Sequence, residues 1–344
     1  DLSTLANVVT TLATMGKNPE QQQQQQQQLD TDSTSHTTNG NSEADSAAKA
    51  VDDLAKAVSA NQQEQEALDD STMSIDTDSD LLIDFEGNML TDQNFNFTLT
   101  TPSPMPAYLT VHYICETASR LLFLSMHWAR AIQAFQILNH DVQTNLVRTR
   151  WSELFTLGLA QCAQSMCLPT ILAAIVNHLQ TSVQQEKLNA DRVRLVSDHI
   201  IKLQEYVQSL QSLKVDEVEY AYLKTMALFS PDHPCTPKNQ LEKFQEKAHR
   251  ELFEHEQEHY PECPDRFAKL LLRLPALRSL SPSIMEELFF VGLIGNVQID
   301  SIIPYILRME TSDYNLQMGL QPQVITTQEQ QVLSESPLQS GVAV

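Results

Sequence analysis

Cationic side chains are scarce: 22 Lys and Arg stand against 44 Asp and Glu in 344 residues, a formal net charge of −22. Phosphate backbones are gripped mainly by cations, so these residues are poor candidates for holding nucleic acid. Glycine is scarce as well. The 8 glycines (16, 40, 87, 158, 292, 295, 319 and 341) make no GxGxxG and no phosphate-cradling loop. Five cysteines (115, 162, 167, 235 and 263) include no CxxC pair and are odd in number. That excludes a paired zinc framework and a disulfide scaffold, and fits a reducing compartment. The amino terminus lacks the basic flank and apolar core of a signal peptide. No apolar run approaches the roughly 18 residues of a membrane span. The expectation is a soluble intracellular chain with no membrane partner, and an opening Asp1 in place of Met suggests a piece of something longer.

The charge is unevenly placed. Residues 1–100 hold 18 acids and 3 bases, a net of −15, whereas residues 101–344 hold 26 acids and 19 bases, a net of −7. The acidic stretch contains Gln21 to Gln28 and polar low-complexity sequence without Trp, Tyr or Cys. Such a segment buries too little apolar surface to offset its chain entropy, and disorder is expected over most of it. Two short helical repeats stand out within it, Leu2, Leu5, Val9 and Leu12, then Ala47, Ala50, Val51, Leu54 and Val58. So does an apolar knot wrapped in acid, Asp80 to Glu86, read as a cover for a folded domain more readily than as an activation peptide. Thr101 to Pro106, with three prolines, punctuates the chain.

Beyond residue 105 the apolar period becomes helical. Leu121, Leu124, Trp128 and Ile132 make one stripe, and Val193, Val196, Ile200, Leu203, Val207 and Leu210 a second. Phe267, Leu270, Leu271, Leu274 and Leu277 make a third, with Pro275 forcing a break. The nearly uncharged stretch from Cys162 to Val183 predicts a helix buried on all sides, and hence a middle layer. An all-α, multi-layer domain follows.

One enzymatic pattern is present. His255-Glu256-Gln257-Glu258-His259 matches HExxH, whose chemistry needs two imidazoles one turn apart, a glutamate base and a third metal ligand. The surrounding run from Glu242 to Glu262 reads as a solvated helix face, Pro261 follows at once, and Asp265 stands where a third histidine belongs. A zinc hydrolase is disfavoured, and no metal or catalytic residue is assigned.

Three stretches carry a resemblance. Trp128-Ala129-Arg130-Ala131-Ile132-Gln133-Ala134-Phe135 is followed by Trp151-Ser152-Glu153-Leu154; Leu228-Phe229-Ser230-Pro231-Asp232 comes next; the third runs from Arg266 through Leu274-Pro275-Ala276-Leu277-Arg278-Ser279 to Glu287-Leu288-Phe289-Phe290. Together they resemble the nuclear-receptor ligand-binding domain of the retinoid-X-receptor branch. Ile302 to Glu310 and the opening Asp1 to Ala6 look closer still to the orphan testicular receptors.

The resemblance implies a three-layer antiparallel helical sandwich over residues 71–311, with its helical core from about 105, after a hinge over 1–70 and before a flexible tail over 312–344. It implies an apolar pocket at Ile114, Thr117, Ala118, Leu121, Trp151, Phe155, Leu159, Cys162, Ile284 and Leu288, for a lipophilic fatty-acid or retinoid-like ligand. It implies a groove for co-repressors and co-activators at Arg130, Arg148, Ile303, Tyr305 and Ile306. Homodimers, or heterodimers with another nuclear receptor, would form through Arg266, Lys269, Leu270, Arg273, Leu274 and Leu277. A nuclear location is implied, with DNA bound only through a zinc-bearing module absent from these residues, and no cofactor within them. Two departures matter. Tyr305 stands where the family keeps the glutamate that clamps one end of a co-activator helix, which implies weak activation or repression by default. Cys162 stands where an arginine would meet a ligand carboxylate, and Leu121 where a glutamine would. An acid would then have to bury its charge unpaired or turn it elsewhere; a neutral lipid, or a pocket closed by side chains in a ligand-independent interaction module, are the alternatives.

Overall fold

The computed structural model describes residues 86–184, 190–231, 237–290 and 298–309. Asp80 to Phe85, the two short repeats before it and the expected tail lie outside the described residues, where every regular element is a helix. In chain order these are α1 (Asp92–Phe95), α2 (Val111–Arg130), α3 (Gln133–Gln136), α4 (His140–Gln161), α5 (Leu168–Gln184), α6 (Ala190–Leu213), α7 (Glu217–Leu228), α8 (Lys238–His259), α9 (Arg266–Leu271), α10 (Leu274–Leu277), α11 (Pro282–Phe289) and α12 (Ile299–Arg308).

The long helices start where short polar side chains can meet orphan amides. Thr110 Oγ1 accepts from the Tyr113 amide at 3.2 Å ahead of α2, and Asn139 Oδ1 from the Val142 amide at 2.9 Å ahead of α4. At α7 a capping box closes both ways: the Glu219 amide donates to Asp216 at 2.7 Å, and the Asp216 amide to Glu219 at 2.6 Å.

Helix α4 is the centre. It packs against α2, α6, α7 and α12, and is apolar around most of its circumference from Leu146 onward. Helix α7 lies beside it and reaches α8 and α1, while α11 bridges α2 and α6. The result is a three-layer helical sandwich with α4 and α7 inside. The segment before α2 is strapped on. Met89, Leu90, Phe97 and Leu99 are buried, the Met89 amide donates to both oxygens of Glu251 at 2.9 and 3.0 Å, and Trp128 Nε1 donates to the Asn94 carbonyl at 2.9 Å.

One expectation is corrected. The helix buried on all sides is α4, whereas α5, expected in that place, leaves Pro169, Thr170, Ala173 and Asn177 on the surface. Residues 162–167 form a turn before it. Small and amide side chains form a solvated face without charge, so a lack of charge there does not mean burial. The break at Pro275 is as expected, between α9 and α10.

Candidate functional site

Helix α12 lies across α2 and α4, with Ile299, Ile302, Ile303, Ile306 and Leu307 buried. These positions follow the i, i+3, i+4, i+7 spacing by which an amphipathic helix enters an apolar groove. Both ends of α12 are held. At its carboxyl end, where the last carbonyls lack amide partners, Arg130 Nη1 at the end of α2 donates to the Met309 carbonyl. At its amino end the Ile299 amide donates to Glu286 Oε1 of α11 at 2.9 Å. Burial pushes the Glu286 carboxyl above its ordinary range, against the hydrogen bond from Ile299. Arg148 lies 4.0 Å from Asp300 in the first turn; both are substantially exposed, and such pairs contribute little. Arg308 Nε meets His140 Nε2 at 3.3 Å. Tyr305 is half-buried.

The expected groove residues are therefore brought together in an unexpected arrangement. Arg130 and Arg148 lie against α12, whereas Ile303 and Ile306 are buried residues of α12 itself. Glu286 was not anticipated, because one of two adjacent glutamates on α11 carries no sequence signal until α12 is placed on it. It supplies an acidic group at the amino end of α12, opposite Arg130 at the carboxyl end.

All the expected pocket residues are buried. They lie on α2, α4, the α4–α5 turn and α11, and aromatic rings of α4 meet those at the end of α11. Phe155 meets Phe289 at 5.4 Å and Phe290 at 5.3 Å between centroids; Trp151 meets Phe155 at 6.2 Å and Phe290 at 6.3 Å. Leu121 and Phe97 crowd Gly158, where an added Cβ would stand 3.0 Å from Leu121 Cδ1. A separate open cleft of about 330 Å³ lies between α5 and α6, lined by Ala163, Leu168, Val207 and Gln208 among others, and none of the expected pocket residues lines it.

Cys162 has a lysine nearby after all. Lys224 of α7 is 0% exposed. Its Nζ donates to Gln161 Oε1 at 2.9 Å and lies 3.3 Å from the Phe97 ring centre and 4.6 Å from that of Trp128. Burial drives the lysine well below its ordinary range, and burial raises the Cys162 thiol to about 11 although Lys224 pulls it back. One lysine inside a helical stripe looks in sequence like a snorkelling surface residue, so it was missed.

The expected dimer face divides. Leu270 and Leu277 are buried within the domain, and Arg266 turns inward to Glu219, so these three are corrected. Lys269 is exposed, Arg273 and Leu274 are half-buried, and Leu272, not anticipated, is 66% exposed. The period placed Leu272 inside a run of leucines without saying which one faces out.

Residues 99–294 match the family model of the ligand-binding domain of nuclear hormone receptor. The chain belongs to the nuclear hormone receptors. It is 57% identical over 323 residues to orphan steroid hormone receptor 2 of Strongylocentrotus purpuratus, covering 90% of this chain and 55% of that one. It is 53% identical over 330 residues to nuclear receptor subfamily 2 group C member 2 of Homo sapiens, covering 92% of this chain and 53% of the other. Against member 1 of the same group from Xenopus tropicalis it is 53% identical over 326 residues, covering 92% and 51%. The Ultraspiracle ligand-binding domain of Drosophila melanogaster is similar at 26% identity and a TM-score of 0.44, over 58% of this chain and 82% of that one. The chain spans about half the length of the curated relatives it matches.

Among the described residues no group of three or more His, Cys, Asp or Glu could hold a metal ion. Glu256, read as part of a solvated face, is buried instead, because it continues the apolar stripe Leu241, Phe244, Ala248 and Leu252 of α8.

Proposed function

We propose that this nuclear-receptor domain is the regulatory part of an orphan transcription factor that is repressive by default, because α12 occupies the groove that a co-activator helix would enter. The observation carrying this reading is the two-ended hold on α12, Arg130 on the carbonyl of its C-cap Met309 and Glu286 on its first amide, around the anchors Ile302, Ile303, Ile306 and Leu307. A helix with an opposite charge at each end and an apolar face in a groove has the chemistry of a bound co-regulator. Displacing α12, by a ligand or a competing partner, would free the same contacts for co-activators or co-repressors.

In this reading the face of Lys269, Leu272, Arg273 and Leu274 pairs with a second copy or another nuclear receptor. DNA contact, with its zinc, belongs to parts of the whole protein outside this chain, the protein works in the nucleus, and no enzymatic step is assigned. A second reading has its own support: the Trp151, Phe155, Phe289 and Phe290 cluster favours a ligand-independent interaction module over a fatty-acid or retinoid-like receptor. Native mass spectrometry separates the two, since a lipid-sized mass travelling with the domain contradicts the filled pocket.

The main reading is tested by titrating a fluorescent co-regulator helix against the whole chain and against a chain ending at Gln298. A groove that is mostly occupied lowers apparent affinity in proportion to its free fraction, so truncation should tighten binding about tenfold or more. Equal binding by both chains would contradict it.

A further inference from the structure

The HExxH glutamate sits where α7, α8 and α9 meet. Glu256 is 3% exposed, and Glu219 of α7, the other carboxyl there, is fully buried. One guanidinium serves both. Arg266 donates Nε and Nη2 to the two oxygens of Glu219 at 2.5 and 2.7 Å, and its Nε lies 3.4 Å from Glu256 Oε2. Arg266 has further partners: Nη1 donates to the Leu213 carbonyl at 2.7 Å, Nη2 reaches the Lys214 carbonyl at 3.2 Å, and the Tyr260 ring covers it at 4.1 Å. Glu219 also accepts from the Asp216 amide. Neither oxygen of Glu256 accepts a hydrogen bond from any N–H or O–H.

Two ionised carboxyls against one guanidinium would leave a buried negative charge uncompensated, and two carboxyls sharing a site do not both ionise readily. Glu219 has every donor and Glu256 has none, so the proton belongs on Glu256, whose O–H can then donate to Glu219. We propose that Glu256 holds a proton at neutral pH and shares it with Glu219, forming a proton-linked lock that fastens Arg266, and with it the start of α9, onto α7 and α8.

Burial raises the Glu256 carboxyl to about 8, with Glu219 and Asp216 adding to the rise and Arg266 opposing it. The other groups at the junction are accounted for. Asp216 accepts from the Tyr260 hydroxyl at 2.8 Å and from His255 Nε2 at 3.2 Å, and His259 stacks on His255 at 4.2 Å between ring centres. Burial pushes the Asp216 carboxyl up, but hydrogen bonds from the Glu219 amide, Tyr260 and His255 outweigh it and hold the carboxyl below its ordinary range. Its titration therefore lies at the acid end, away from that of Glu256. The lock itself rests on this chemistry alone; that it governs pairing rests on the dimer reading of α9 given above.

The sign follows from linkage. A carboxyl raised in the folded state contributes stability that is fully present below its unfolded value and lost as pH rises through its folded value, here from about 4.5 to about 8. Thermal unfolding of the whole chain, followed between about pH 6 and 9 in wild type and Glu256→Gln, reads it directly. Wild type should lose stability relative to the variant until the two profiles run parallel above about pH 8. Profiles parallel throughout would overturn the lock. Should Glu256→Gln fail to fold, infrared difference spectra of wild type decide: a protonated-carboxyl stretch present at pH 7 and titrating near 8 supports it, and its absence at pH 7 overturns it. Sedimentation at pH 7 and pH 9 tests the consequence. Unchanged pairing beside the expected unfolding profile supports the lock and counts against α9 as the pairing face.

Discussion

A few side chains decide how this domain stands at rest. Arg130 carries a full charge onto the end of α12, and hydrogen bonds to charged groups contribute about 1.5–3 kcal/mol. Arg130→Ala should therefore release α12 while leaving the remaining core intact, detected as faster amide exchange over 302–307 with little change in melting temperature. Glu286→Ala should act in the same direction more weakly, since a helix cap contributes about 1 kcal/mol. Lys224 presents the opposite case. Its amine is buried among Phe97, Trp128 and Gln161 with no carboxylate pairing with it among the described residues, and apolar replacements of buried charges are often neutral or stabilising. Lys224→Met should melt no lower than wild type at pH 7; a clear loss would show that the amine holds its surroundings together.

At the level of the element, α12 is nearly balanced. Burying five aliphatic side chains contributes about 8–15 kcal/mol, and ordering ten residues costs about 10–20 kcal/mol. The contacts at the two ends then set whether the helix stays. Pro304 weakens it further, because it removes the amide that would meet the Asp300 carbonyl. Pro304→Ala should strengthen self-occupancy by about 1–3 kcal/mol, seen as weaker co-regulator binding by the whole chain. Helices were the most legible part of the sequence. The stripes at 121–132 and 193–210 mark the buried faces of α2 and α6, and Pro275 marks a real break, because period and proline act locally. Less legible was which helix would be central. The lack of charge over Cys162 to Val183 reflected small amides on an exposed face, whereas α4 carries Arg150 and Glu153 and is nonetheless central.

At the scale of the whole molecule, the family was legible because three separated stretches keep their order, but the state of its site was not. What surrounds the two departures noted in sequence, Tyr305 and Cys162, comes from other helices and is joined only by folding: Glu286 reaches the first amide of the helix that carries Tyr305, and Lys224 lies near Cys162. The same holds for the face of α9 and α10, where Arg266, Leu270 and Leu277 turn inward and Leu272 outward. Leu272→Glu should abolish pairing in sedimentation while changing monomer stability by no more than about 0.5 kcal/mol, as exposed substitutions do. The net charge of −22 also divides by region, with −15 in residues 1–100, so it describes the leading stretch more than the helical domain.

The central claim is that α12 fills the groove of its own domain. Hydrogen–deuterium exchange of the unliganded whole chain, read over residues 299–309, tests it most directly. Protected amides in α12 that lose protection when a co-regulator helix is added, while α2 and α4 stay protected, are the expected result. Exchange of α12 at the rate of unfolded chain before any partner is added would contradict the claim.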